Sequence, residues 1–168
     1  ALDPQFRAKP EYLPKSGAVD AATIRVDPLG RVTAILATTP QGQGHQTVVS
    51  QIVADELGLT PEDVTVIDEM DTATRFWSIS SGTYSSRFGS VGTSAVALAA
   101  RKLKAKLIEY AAHLMARPAT ELEFRDGAVR TKAGKGPFYS VKDLAGRAHW
   151  NTESLPEGME PGLEASAV

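Results

Sequence analysis

The 168 residues, 42% of them hydrophobic, suit one compact domain with a sizeable core, and the absence of cysteine excludes disulfides, cysteine-based zinc sites and iron–sulfur ligation in this chain. A formal net charge of −2 gives no basic footprint for nucleic acid. No apolar run reaches the roughly 20 residues of a membrane-spanning helix, so a cytoplasmic protein with no membrane partner is the expectation.

Residues 1–20 are rich in proline and charge and lack the apolar core of a signal peptide; they read as a connecting arm. The chain does not start with Met, as expected of processing, a tag remnant or excision from a longer chain. Thr23 to Asp27 alternates apolar and polar residues, Asp27-Pro28-Leu29-Gly30 is a turn, and Val32 to Ala37 resumes the strand, which predicts a hairpin. The second strand leads into Pro40-Gln41-Gly42-Gln43-Gly44-His45-Gln46-Thr47, directly before an amphipathic helix with Val48, Val49, Ile52, Val53 and Leu57 at helical spacing and Gly58 as its stop.

That junction carries the most chemistry. Two glycines let the backbone come close to a ligand, and a helix start offers unpaired N–H groups and a positive dipole end. Gln43 and His45 add side-chain donors and acceptors. The same residues also suit a plain tight turn. Neither common phosphate loop is present: no Lys-Ser/Thr follows a second glycine, and the third glycine of Gly-x-Gly-x-x-Gly is missing.

Further along, Thr60 caps, Pro61 sits in a first helical turn, and Val64 to Ile67 reads as a strand. The stretch Asp68 to Arg87 is long for a loop, about twenty residues, and is expected to be functional or pinned by a ligand. Its carboxylates Asp68, Glu69 and Asp71 lack the rhythm of a hard-cation site, and Phe76 and Trp77 suit either a site cover or ordinary packing. The run Ser78 to Arg87 is dense in hydroxyls and opens the longest helix, expected from about Val91 to Met115. Arg101, Lys102, Lys104 and Lys106 spread around that helix as a solvated surface. Asp126-Gly127 joins a second hairpin, Leu122 to Phe124 with Ala128 to Thr131. Ser140 caps a short helix through Ala145, expected to be the last regular element before a Pro/Gly-rich tail.

The expected fold is therefore α+β: two hairpins plus one further strand, paired in mixed or antiparallel fashion, with two main helices. The expected division is an arm over 1–20, a domain over 21–150 and a tail over 151–168 that leads to the rest of a subunit.

Gly42-Gln43-Gly44-His45-Gln46-Thr47 with Gln51 to Gly58, then Gly82-Thr83-Tyr84-Ser85-Ser86-Arg87 with Ala95 to Lys102, and finally Leu155 to Ala165 resemble, in order, the cofactor subunit of the molybdenum hydroxylases. This is the xanthine dehydrogenase, aldehyde oxidase and aerobic carbon monoxide dehydrogenase family. The resemblance runs from about Ala21 to Val168. It implies an oxidoreductase that hydroxylates a C–H bond of an aldehyde or N-heterocycle with water-derived oxygen. The implied cofactor is molybdenum bound to molybdopterin cytosine dinucleotide, with the metal held by the cofactor's own sulfurs and not by this chain.

By the same resemblance, Gly42, Gln43, Gly44 and His45 form one cofactor-binding loop, with Gln43 beside the pterin and the metal. Tyr84, Ser85, Ser86 and Arg87 form the other. Arg87 suits a cofactor phosphate, or an ion pair with Asp68 or Asp71. Iron–sulfur clusters and FAD are expected only on partner chains or domains, alongside the remainder of the molybdopterin subunit. The family's catalytic base is a glutamate in a Gly-Glu motif, and no glutamate here matches it; Glu157 and Glu164 read as surface loop residues. The chain alone is expected to be inactive. Two other classes stay open on the residues themselves: a non-catalytic nucleotide- or anion-binding module, and a structural fragment that needs the rest of its subunit.

Overall fold

A computed structural model of the chain describes residues 19–69, 83 and 86–168. The architecture is α+β. A four-stranded sheet is built from β1 (Ala22–Val26), β2 (Val32–Leu36), β3 (Val64–Ile67) and β7 (Glu164–Ala167), in the order β3-β2-β1-β7. A second sheet is an antiparallel meander of β4 (Leu122–Arg125), β5 (Ala128–Thr131) and β6 (Phe138–Ser140). Helices α1 (His45–Leu57), α2 (Gly92–Met115) and α3 (Val141–Trp150) complete the fold.

Strand alternation sets the first layer. Ala22, Ile24 and Val26 on β1 are buried and lie opposite Leu36, Ala34 and Val32 on β2. A one-residue slip would turn all of them to the other face. The β1–β2 turn is held by Asp27, whose carboxylate accepts from the backbone N–H of Leu29 and Arg31 at 2.9 and 3.0 Å. Strand β3 joins β2 in parallel, with Val64 beside Val32 and Val66 beside Ala34, and α1 is the crossover between them.

The apolar face of this sheet is covered by helices. On α1, Val49, Val53 and Leu57 are buried at intervals of four, and α1 packs against α2 and β3. On α2, Ala95, Ala99 and Ala100 are fully buried small residues that let the helix lie close to its neighbours, while Leu103, Leu107 and Tyr110 fill the layer below. The Tyr110 hydroxyl is 2.6 Å from the Ser154 hydroxyl, which settles the polar end of an otherwise buried ring. The basic residues of α2 are tied outward: Arg101 pairs with Glu56 at 2.7 Å, and Lys102 Nζ donates to the Ser166 carbonyl at 3.0 Å.

Three expectations require correction. The Ser140-capped helix does not stop at Ala145 but runs to Trp150, because Leu144, Ala145 and Ala148 are buried along it. It is not the last regular element either: Glu164 to Ala167 form β7, antiparallel to β1, so Glu164 is an exposed strand residue and not a loop residue. Phe138 to Ser140 form β6, a strand absent from the expected set. At the other end, Asp20 in the expected arm is buried to 2% exposure. Among the described residues no helix is long and apolar enough to cross a membrane.

Candidate functional site

Strands β2 and β3 run parallel, so their carboxyl ends open on the same side of the sheet, the place where open α/β sheets take ligands. The loop leaving β2 is Pro40 to Gly44, and it becomes α1 at His45. The residue leaving β3 is Asp68. Together they line a cavity of about 360 Å³ bounded by Pro40, Gly42, Gly44, His45, Gln46, Thr47 and Asp68.

The loop's shape depends on its glycines. Gly42 and Gly44 have φ of 91° and 74°, in the left-handed region that costs other residues free energy. A Cβ built on either would meet nothing within 4 Å. Their bare backbones therefore face open space. Gly44 is the N-cap of α1 and provides no side-chain cap, which leaves the first-turn N–H groups for another acceptor. Gln43 is exposed, and its side-chain oxygen accepts from the backbone N–H of Gln41, folding it across its own loop.

Beneath this loop lies a buried polar cluster drawn from five segments. Asp20, just before β1, accepts from the Thr38 hydroxyl at 2.6 Å through one carboxylate oxygen. Its other oxygen is 3.2 Å from Arg87 Nη1, and Arg87 Nη2 donates to the Val19 carbonyl at 3.2 Å. Arg87 and Asp20 are 6% and 2% exposed. The ion-pair partner of Arg87 among the described residues is thus Asp20, not Asp68. His45 and Asp68 stand at the same place, both buried, and His45 Nδ1 and Asp68 Oδ2 have no hydrogen-bond partner. Buried polar atoms without partners are costly and mark a place where a ligand group is missing or strain is stored.

Burial pushes the His45 imidazole below its ordinary pKa, against the opposing pull of Asp68 and, less strongly, Asp20. The folded protein therefore holds His45 neutral more tightly than the unfolded chain does. Its contribution to stability is complete above about pH 6.5 and is lost as the pH falls below that value. Unfolding free energies measured across this range should decline toward acid in the wild type, and His45→Gln should lack that part of the decline.

Of the sequence-predicted site residues, Gly42, Gln43, Gly44 and His45 come together on one loop. Ser86 and Arg87 sit at the second, where Ser86 has φ of 56° and Arg87 begins a short 3-10 turn to Gly89 that leads into α2. Tyr84 and Ser85 lie outside the described residues, as do Asp71, Phe76 and Trp77. Asp20, Thr38 and Phe88 were missed. No local signal marks them, since Asp20 belongs to a polar arm and meets its partner 67 residues away. Among the described residues no group of three or more His, Asp or Glu side chains is placed to hold a metal ion.

Residues 5–168 match the family model for the molybdopterin cofactor-binding domain. The chain is 40% identical over 149 residues to the carbon monoxide dehydrogenase large chain of Hydrogenophaga pseudoflava, an alignment that covers 89% of this chain and 18% of that protein. Among solved structures it is similar to a Cu,Mo-CO dehydrogenase in its carbon monoxide reduced state, with a TM-score of 0.77 and 38% identity over 88% of this chain and 18% of that one. It is also similar to quinoline 2-oxidoreductase from Pseudomonas putida 86, with a TM-score of 0.76 and 29% identity over the same shares. The chain thus spans about a fifth of the length of the curated relatives it matches.

Proposed function

The chain belongs to the molybdopterin cofactor-binding domain family, as a stretch of the large subunit of the molybdenum hydroxylases, and from that premise we propose that its Gly42 to His45 loop is the cradle of the pterin. The carrying observation is the coincidence, at one end of the sheet, of two open glycines, an uncapped helix start and two buried polar atoms without partners. These residues fit such a group. Bare glycine backbone admits a flat ring system, the helix N-terminus favours an anionic group, and the Asp68 carboxylate accepts from N–H or O–H donors of the kind a pterin carries.

When bound, the cofactor supplies the metal centre and its redox chemistry. The chain's own residues bind and orient it. Gln43 provides an amide that hydrogen-bonds in either direction beside the pterin. His45, held neutral by burial, offers one donor and one acceptor without adding charge. Ser86 would contribute to the second arm, to which the family resemblance also assigns Tyr84 and Ser85, and Arg87 beside it is tied to the floor of the site through Asp20.

The finer reading is the cytosine dinucleotide form of molybdopterin in a cytoplasmic, multi-subunit hydroxylase. The substrate class is an aldehyde or N-heterocycle, and iron–sulfur and flavin centres reside on partner chains. The support is the similarity to carbon monoxide dehydrogenase and quinoline oxidoreductase chains together with the order of the two loops. No glutamate here occupies a Gly-Glu motif, so the proton-abstracting group belongs to another part of the assembly, and this chain alone is inactive.

In the complete enzyme, Gln43→Ala should lower molybdenum occupancy or turnover by about 10-fold, the loss expected for one hydrogen bond to a bound group. Metal analysis and steady-state kinetics check it together. Full turnover with unchanged molybdenum would remove Gln43 from the site.

A further inference from the structure

The two polar loops meet through a ring stack. The Phe88 ring lies 3.6 Å from the His45 imidazole, centroid to centroid, with the planes 14° apart. Phe88 follows Arg87 in the 3-10 turn before α2, and His45 is the first residue of α1. Gly92, one helical turn on, lies against the Cδ2–Cε2 edge of the Phe88 ring. A Cβ on Gly92 would fall 2.3 Å from Phe88 Cδ2 and 2.6 Å from Cε2, so only bare backbone leaves the ring its place.

His45 Nδ1, its buried ring nitrogen, has no hydrogen-bond partner to fix the plane of the ring. The charged groups around it, Asp68 after β3, Asp20 before β1 and Arg87 beside Phe88, make no hydrogen bond to that atom either. What remains in contact with the whole ring face is Phe88, itself only 5% exposed. A leucine would satisfy the apolar volume as well, but it would not present a flat face to a flat ring.

We propose that Phe88 is a positioning residue: held against Gly92 and stacked on His45, its ring sets the imidazole plane and thereby the geometry of the Gly42 to His45 loop. The loop that opens α2 thus dictates the loop that opens α1. The functional consequence rests on the reading of the latter as the pterin cradle; the contact itself does not.

The test uses the complete cofactor-loaded subunit and the variants Phe88→Leu, Phe88→Tyr and Gly92→Ala. His45 is followed by deuterium exchange at its imidazole C2 as a function of pH, alongside the rate at which molybdenum and nucleotide are released. In Phe88→Leu the His45 midpoint should rise toward the ordinary imidazole value of about 6.5 as water reaches the ring. Release should quicken by roughly 10-fold, the size of effect seen when an outer support of a bound group is removed. Phe88→Tyr keeps the flat ring and should restore both. Gly92→Ala puts a Cβ into the Cδ2–Cε2 edge of the ring, displacing it, and should move the His45 midpoint without altering either stacked residue.

An unchanged midpoint in folded Phe88→Leu overturns the proposal. If that variant fails to fold, an unchanged midpoint in Gly92→Ala does so instead. A shifted midpoint with unchanged release upholds Phe88 as the support of His45 and overturns the reading of the loop as the cradle.

Discussion

Asp20→Ala should destabilise the protein by about 3–5 kcal/mol, the cost of taking away one partner of a buried ion pair. Asp20 and Arg87 are both almost fully buried, and one carboxylate receives both the guanidinium and the Thr38 hydroxyl. The alanine variant takes the Asp20 carboxylate away from a buried guanidinium and leaves a buried hydroxyl without its acceptor. Denaturant unfolding would show the loss as a lower midpoint with an unchanged slope. Replacing both partners, as Asp20→Leu with Arg87→Met, should recover much of it, since apolar side chains of similar size avoid the desolvation penalty. A single-variant cost below about 1 kcal/mol would place the pair in the class of solvated surface bridges and remove it as the anchor of the second loop.

The second large effect belongs to Gly58→Ala, expected to cost roughly 2–4 kcal/mol from two sources that add. Gly58 ends α1 with φ of 54°, a conformation that costs an L residue about 1–2 kcal/mol. Its added Cβ would also fall 2.8 Å from the Asp126 backbone nitrogen, where neither element yields easily. Asp126 and Gly127 are the turn residues of the β4–β5 hairpin, both with positive φ. The clash therefore falls between the end of α1 and the second sheet. Thermal unfolding measures it, and Gly134→Ala is the control: its φ is 69°, but its Cβ meets nothing within 4 Å, so it should show the conformational cost alone.

These two sites differ in how far the linear order of residues exposes them. Gly58 was legible, because a glycine after a run of helical-period apolar residues is a local stop signal, and helix α1 ends there. The same holds for the β1–β2 and β4–β5 hairpins, whose turn residues lie beside their strands, and for the loop from Gly42 to His45. Asp20 was not legible. Nothing near it in the chain demands a buried carboxylate; the demand comes from Arg87, which folding alone brings alongside.

The missed elements share that character. Glu164-Ala165-Ser166-Ala167 has no β-branched residue and becomes a strand because β1 presents an unpaired edge to it. Gly146 would ordinarily mark a stop, at a cost of about 1 kcal/mol within a helix, yet α3 continues through it because Leu144, Ala145 and Ala148 are buried. Of the second polar loop, Ser86 and Arg87 do lead into α2, but Phe88 beside them was indistinguishable from any apolar residue at a helix start. Its significance lies in the ring it touches.

The pairing of β1 with β7 also has a consequence in time. Thr23 and Ser166, whose hydroxyls meet at 2.7 Å, are separated by 143 residues. At a synthesis rate of about 5–20 residues per second, the β1–β2 hairpin waits roughly 7–30 s on the ribosome for its neighbour. Throughout that interval the β1 edge is open to any other extended chain, which makes the arrival of this short, weakly patterned strand the step that closes that edge against mispairing.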